Sequence, residues 1–205
     1  MTGKELIEKL HSGAVAYSAY AGSCLLFIHQ KSKGSEYGFY EASFQKRNFM
    51  HLAGIRSKTM KAEQFYEACL EKTLTAKDCS PTHDLANRDK RAAILCRLLN
   101  FKDSRLYKIG EVTTMSLYNH IEVATGNSEG IVGYSRHSSG KNPVPTTLLS
   151  EPLSEYSRKP YKIMFVLQKE PSDEWYSNLV YEIKSGLFKK EYRSFPPVLQ
   201  KMTRQ

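Results

Sequence analysis

Apolar and polar positions change period several times along this chain, and each change marks an element. Thr2 and Glu5 have the spacing of a capping box, and Leu6, Ile7 and Leu10 then give one apolar face. They predict a first helix, which Gly13 weakens. Residues 23–31 are apolar through their middle and read as a buried strand. Residues 38–46 alternate as a half-buried strand does, and a polar hairpin connection around Gly34 joins the two.

Helical spacing returns at 59–75, where Ala62, Phe65, Tyr66, Cys69 and Leu70 share one face. A further helix is expected over 84–100, with Leu85, Ala92, Leu95, Cys96 and Leu99 inward and the run Arg88-Asp89-Lys90-Arg91 as a solvated face. Beyond Leu106 the pattern turns to short strands at 121–126, 131–136 and 146–151, the first two joined by a turn through Asn127 and Ser128. The clearest strand covers 161–170, apolar in its middle and basic near its end, and 178–184 adds another. Helices early and antiparallel strands late make an α+β pattern, with N-terminal helices packed on a sheet of about four or five strands. Residues 1–188 are expected as one domain, and the basic, proline-broken stretch 189–205 as a mobile tail.

Composition narrows the class. A chain of 205 residues can bury roughly 70% of its unfolded surface, so it needs no staples to hold a core. Its formal charge of +9 favours a polyanionic partner such as RNA or another nucleic acid. Cys24, Cys69, Cys79 and Cys96 lack zinc-site spacing and read as reduced thiols. No metal or other cofactor is expected. With no signal-peptide pattern and no apolar run long enough for a bilayer, the expectation is a soluble, cytoplasmic protein with no membrane contact.

Three stretches combine reactive side chains with a defined frame. His51 lies among Phe49, Met50, Leu52 and Ile55, just before Gly54, and is either a satisfied core residue or an acid–base group. Residues 133–141 carry Tyr134, Arg136, His137, Ser138, Ser139 and Lys141 on one cationic loop. The third stretch is 143–149 together with Gln168 and Lys169. Metal-free RNA cleavage needs few parts: a base for the 2′-hydroxyl, an acid for the leaving 5′-oxygen, and cations for the phosphorane. Those residue types are all present. A P-loop, an H-E-x-x-H pair and a G-x-S-x-G elbow are not. His11, His29, His83, His120 and His137 have no partner readable from the chain and are taken as structural or solvated.

The run Phe49-Met50-His51-Leu52-Ala53-Gly54, then Phe65-Tyr66, Tyr134, Pro145-x-Thr147-Leu148-Leu149 and a strand closing in Lys169 resembles a nuclease-like family of phages and mobile elements. It is the fourth variety of the barnase–EndoU–colicin–RelE-like group, and the resemblance spans 39–184. It implies a compact fold of helices on an antiparallel sheet, and metal-independent ribonuclease or toxin-like activity in the cytoplasm of a bacterial host. By position it implies catalytic roles for His51, Thr147 and Lys169. Tyr134, Arg136 and Lys141 are then expected to contact nucleic acid, with Tyr134 and Thr147 as hydrogen-bonding positioners. Ala53 departs from the pattern, where a small hydroxyl residue is expected, and the lost hydroxyl bears on how His51 is oriented. Two other readings accompany this one: a non-catalytic phage inhibitor of a host defence protein on the same fold, and a binder of small nucleotide ligands. A nuclease should gather His51, Thr147 and a cation around one phosphate-sized cleft, whereas an interaction protein can leave them dispersed beside a large apolar patch.

Overall fold

The computed structural model describes residues 1–32, 34–102, 107–113, 121–136 and 142–204. The capping box forms as expected: the Thr2 hydroxyl accepts from the Glu5 amide at 3.3 Å, and the Glu5 carboxylate accepts from the Thr2 amide at 2.7 Å. It starts helix α1, Gly3–Ser18. Gly13 does not cut this helix short. It is a contact point, because a β-carbon there would lie 2.5 Å from the Leu95 side chain of helix α4, Leu85–Leu98. The cost of glycine in a helix is offset by the close approach of two helices.

Between these two lie β1 (Cys24–Gln30), β2 (Tyr37–Ser43), the short α2 (Asn48–Leu52), β3 (Ile55–Arg56), α3 (Ala62–Leu70) and β4 (Ser80–Pro81). Then come β5 (Lys108–Glu111), β6 (Val123–Gly126), β7 (Ile131–Ser135), β8 (Val144–Leu149), β9 (Tyr161–Lys169) and β10 (Asn178–Glu182). The class is α+β, as expected, but the antiparallel sheet is larger than four or five strands. Among the described residues eight strands join in the order β2-β1-β9-β5-β6-β7-β8, with β10 also on β9. β5 is the strand the periodicity missed. It has four residues, and Ile109 is its one large apolar side chain.

The sheet curls until its two edges meet. The Ser43 amide at the end of β2 donates to the Pro143 carbonyl just before β8, at 2.8 Å. The result is a partly closed barrel, in which the two edge strands meet at one end. Its concave face holds Phe27, Phe44 and Tyr134, whose rings lie against one another and against Phe101. Helices α1, α3 and α4 pack on that face through Leu10, Phe65, Leu95 and their neighbours.

The α4 expectation needs two corrections. Leu85, at the first turn of α4, is 60% exposed, and the inward face is carried further along the helix by Ile94 and Leu98 as well as Ala92, Leu95 and Leu99. The Arg88–Arg91 run is not simply solvated, since Arg91 is buried and lies against Gly54. Arg88 pairs with Asp89, which also takes the N-terminal ammonium at 3.0 Å.

The last stretch differs most from expectation. Residues 189–204 do not form an extended tail. They belong to helices α5 (Leu187–Glu191) and α6 (Pro197–Met202) and the turn between them. Phe188, Phe195 and Leu199 bury themselves on the convex face of the sheet with Leu26, Ile28, Phe165 and Leu167. Three apolar anchors are enough to hold a segment whose average composition is cationic and prolyl. Among the described residues, no helix is long and apolar enough to cross a membrane.

Candidate active site

His51 lies on α2, and its side chain is exposed. Gly54 ends this segment with φ +68°, a left-handed conformation, and a β-carbon there would lie 2.8 Å from the buried Arg91. Ala53 is fully buried in the core while His51 faces solvent, so a hydroxyl at position 53 would point away from the imidazole. One helical turn before His51 stands Arg47, which lines a shallow depression with Lys61 and Gln64.

The other expected residues lie elsewhere. Thr147 sits on β8 opposite Gly133, and alternation turns it to the convex side with Leu149, away from the inward Leu148. Lys169 ends β9 opposite Cys24, with its ammonium over the ring of Tyr176, 4.7 Å from the centre. Tyr134 is fully buried in the barrel, and its hydroxyl lies 2.9 Å from that of Thr125. In this conformation no base can stack on it. Lys141, with His137, Ser138 and Ser139, falls outside the described residues, as does His120. His51, Thr147 and Lys169 are therefore carried on separate surfaces: one on the concave-side layer, two on the convex face.

A different set gathers where the barrel closes. Tyr40 on β2 faces inward, its ring 5.7 Å from that of Tyr134 on β7. Its hydroxyl is buried and has no hydrogen-bond partner among the described residues. An orphaned buried hydroxyl costs on the order of 1–3 kcal/mol. Burial raises the Tyr40 phenol, Glu122 raises it further, and Arg136 opposes them, so both charges lie within electrostatic reach of this oxygen. Arg136 and Glu122 pair at 3.4 Å, with side chains 63% and 49% exposed. The Glu122 amide also donates to the Tyr134 carbonyl at 3.0 Å, which fixes the approach to β6 against the end of β7. A proton donor, a cation and a carboxylate thus share one edge of the concave face, the first shielded and the other two open to water.

His29 extends this face along β1. It pairs with Gly38, two positions from the Phe27–Tyr40 pair, and therefore lies on the same side as Tyr40. Its ring stacks on Tyr161 with centroids 5.0 Å apart and planes 5° from parallel. Burial pushes the imidazole down to about 4, so it is neutral at pH 7. Its folded value lies below the unfolded value near 6.5, so between pH 6.5 and 4 the unfolded chain binds the extra proton and stability falls as pH falls. Thermal unfolding at pH 7 and pH 5 should therefore show a smaller acid-induced drop in His29→Gln than in wild type. Equal drops would remove His29 from the acid response.

Neither Tyr40 nor Glu122 belongs to a local motif. The readable signal was the alternation of β2, which turns Tyr40 inward with Ala42. The partnership with positions 122 and 136 is made only by the curl of the sheet. Among the described residues, no three of His, Cys, Asp and Glu are grouped as metal ligands.

Comparison with known proteins adds the frame for this geometry. No curated protein and no solved structure matches the chain. A family model described as phage-Barnase-EndoU-ColicinE5/D-RelE like nuclease4 matches residues 9–185, which includes all the strands of the sheet, helices α3 and α4, and α1 from residue 9 onward. By that match, the chain belongs to this phage-associated nuclease-like family.

Proposed function

We propose that this protein cleaves RNA without a metal, at the concave edge formed by Tyr40, Glu122 and Arg136. The observation that carries the reading is the buried, unpartnered Tyr40 hydroxyl beside an exposed Arg–Glu pair. A phosphodiester entering here would draw the Arg136 guanidinium off Glu122 onto itself and, as the edge opens around the Tyr40 hydroxyl, accept its O–H through a non-bridging oxygen. Glu122, released from Arg136, then takes the proton of the 2′-hydroxyl as that oxygen attacks phosphorus. The P–O5′ bond breaks, leaving a 2′,3′-cyclic phosphate, and water at the open edge protonates the departing 5′-oxygen. Arg136 and Tyr40 stabilise the charge that develops on the phosphorane.

Arg47 and Lys61 suit a different part of the same task, since the two cations share a depression and can hold a phosphate further along the strand, one helical turn from His51. The inhibitor reading has less support. Among the described residues, the exposed large apolar side chains are Met1, Val15, Leu85, Leu179 and Val198, and the last four lie on four different elements. The test compares single-turnover cleavage of one RNA by four variants. Tyr40→Phe and Glu122→Gln should slow the chemical step by about 10²-fold, while His51→Ala and Lys169→Ala change it by less than about tenfold. The reverse order would move the catalytic centre to the His51 surface.

A further inference from the structure

The C-terminal layer carries a second feature. Trp175, the chain's single tryptophan, is half-buried beside an open depression of about 600 Å³. Arg204 lays its guanidinium over the indole, 3.3 Å from the ring centre. Lys201 and Gln200 of α6 form one wall, Tyr192 contributes another, and Glu174 stands on the rim. The walls are tied down. The Tyr192 hydroxyl reaches the carbonyls of Gln200 and Thr203 at 3.2 and 3.0 Å, and the Gln200 amide donates to the Phe195 carbonyl at 2.8 Å. The chain is pinned beside Trp175 by two backbone bonds to Tyr176, whose amide donates to the Met202 carbonyl at 2.8 Å and whose carbonyl accepts from the Arg204 amide at 3.1 Å.

We propose that this groove binds single-stranded RNA, separately from the cleavage edge. The choice of RNA over another polyanion rests on the ribonuclease reading; the groove itself does not. Its chemistry pairs a flat aromatic face, on which any base can stack, with two mobile cations for the flanking phosphates. Arg204 already occupies the indole in the way a base would, and on binding it can turn to a phosphate while the base takes its place. The surroundings agree: residues 189–204 hold five cations and one carboxylate. An aromatic face is available only to a base that is not already stacked in a duplex, so the groove suits an unstacked strand. Tyr176 and Leu199 behind it belong to the convex cluster, so the groove lies across the sheet from Tyr40. It is built largely from residues beyond the part of the chain that matches the family.

A single tryptophan lets the groove report on itself. The full chain is titrated with a fluorescein-labelled 2′-O-methyl oligoadenylate of about twelve nucleotides, which has no 2′-hydroxyl to attack with. Indole emission is read in parallel with the unlabelled oligonucleotide. Saturable quenching is expected, with anisotropy-measured affinity about tenfold weaker in Trp175→Ala and in Lys201→Glu. Trp175→Phe should keep most of the affinity. Lys201 is exposed, so its variant tests the groove even if Trp175→Ala folds poorly. Absence of binding, equal affinity in wild type and both groove variants, or equal quenching by polyglutamate would overturn the proposal. Groove binding by a protein that cleaves no RNA would leave the groove standing and remove only the nuclease reading. Cleavage without groove binding would do the opposite.

Discussion

Arg136→Ala should lower the rate of RNA cleavage by about 10²–10³-fold while lowering the unfolding temperature by no more than about 4 °C. The two halves of this expectation have separate causes. In the resting protein Arg136 makes an exposed pair with Glu122, and such pairs contribute at most about 1 kcal/mol to stability. In the proposed transition state the same guanidinium would face a doubly charged phosphorane beside the Tyr40 hydroxyl, where a fixed cation is worth several kcal/mol. Arg136→Lys should recover part of the rate, because it restores the charge but not the two-pronged donor geometry. A loss of activity that tracks a loss of thermal stability would instead make Arg136 a strut for the β6–β7 end.

Phe44→Ala should be the most damaging single change to the fold, at about 3–5 kcal/mol. Phe44 is fully buried, and its ring meets those of Tyr17, Tyr20, Phe101 and Tyr134 at centroid distances of 5.8, 6.1, 5.7 and 6.3 Å. It therefore ties α1, the end of α4, the edge of β2 and the inside of β7 together. For a chain of this size each kcal/mol moves the midpoint by about 2–4 °C, so a drop of roughly 6–20 °C is expected in calorimetry. Phe44→Leu should cost much less, since it keeps most of the buried volume. A drop of only a degree or two in the alanine variant would mean that the barrel interior is loosely packed.

The elements that could be read from sequence are those whose burial is written locally. β1 and β9 are apolar through their centres because both of their faces are covered, by helices on one side and by α5 and α6 on the other. The helix around Phe65, Tyr66 and Cys69 shows its stripe because it is buried on one face only. β5 was invisible because it is held by its neighbours rather than by its own side chains. α5 and α6 were hidden because each is less than two turns long, Pro196 and Pro197 interrupt the stretch, and the buried Phe188, Phe195 and Leu199 sit among lysines.

The site was less legible than the fold for a related reason. His51 stands among apolar residues in sequence, yet α2 turns it outward while Phe49, Leu52 and Ala53 go in. Tyr134 looked like part of a cationic loop, but it lies just inside the end of β7, where alternation turns it into the barrel. Arg136, two residues on, is the member of that loop that reaches the candidate site. Its partners Tyr40 and Glu122 are distant in the chain, and only closure of β2 on β8 unites them.

The measurement that bears most directly on the central claim is digestion of total bacterial RNA by the purified protein in excess EDTA, with the new ends analysed. The account predicts cleavage by wild type that leaves 2′,3′-cyclic phosphates, and little or none by Arg136→Ala. No cleavage in EDTA, or cleavage that depends on added divalent cation and leaves 5′-phosphates, would contradict it.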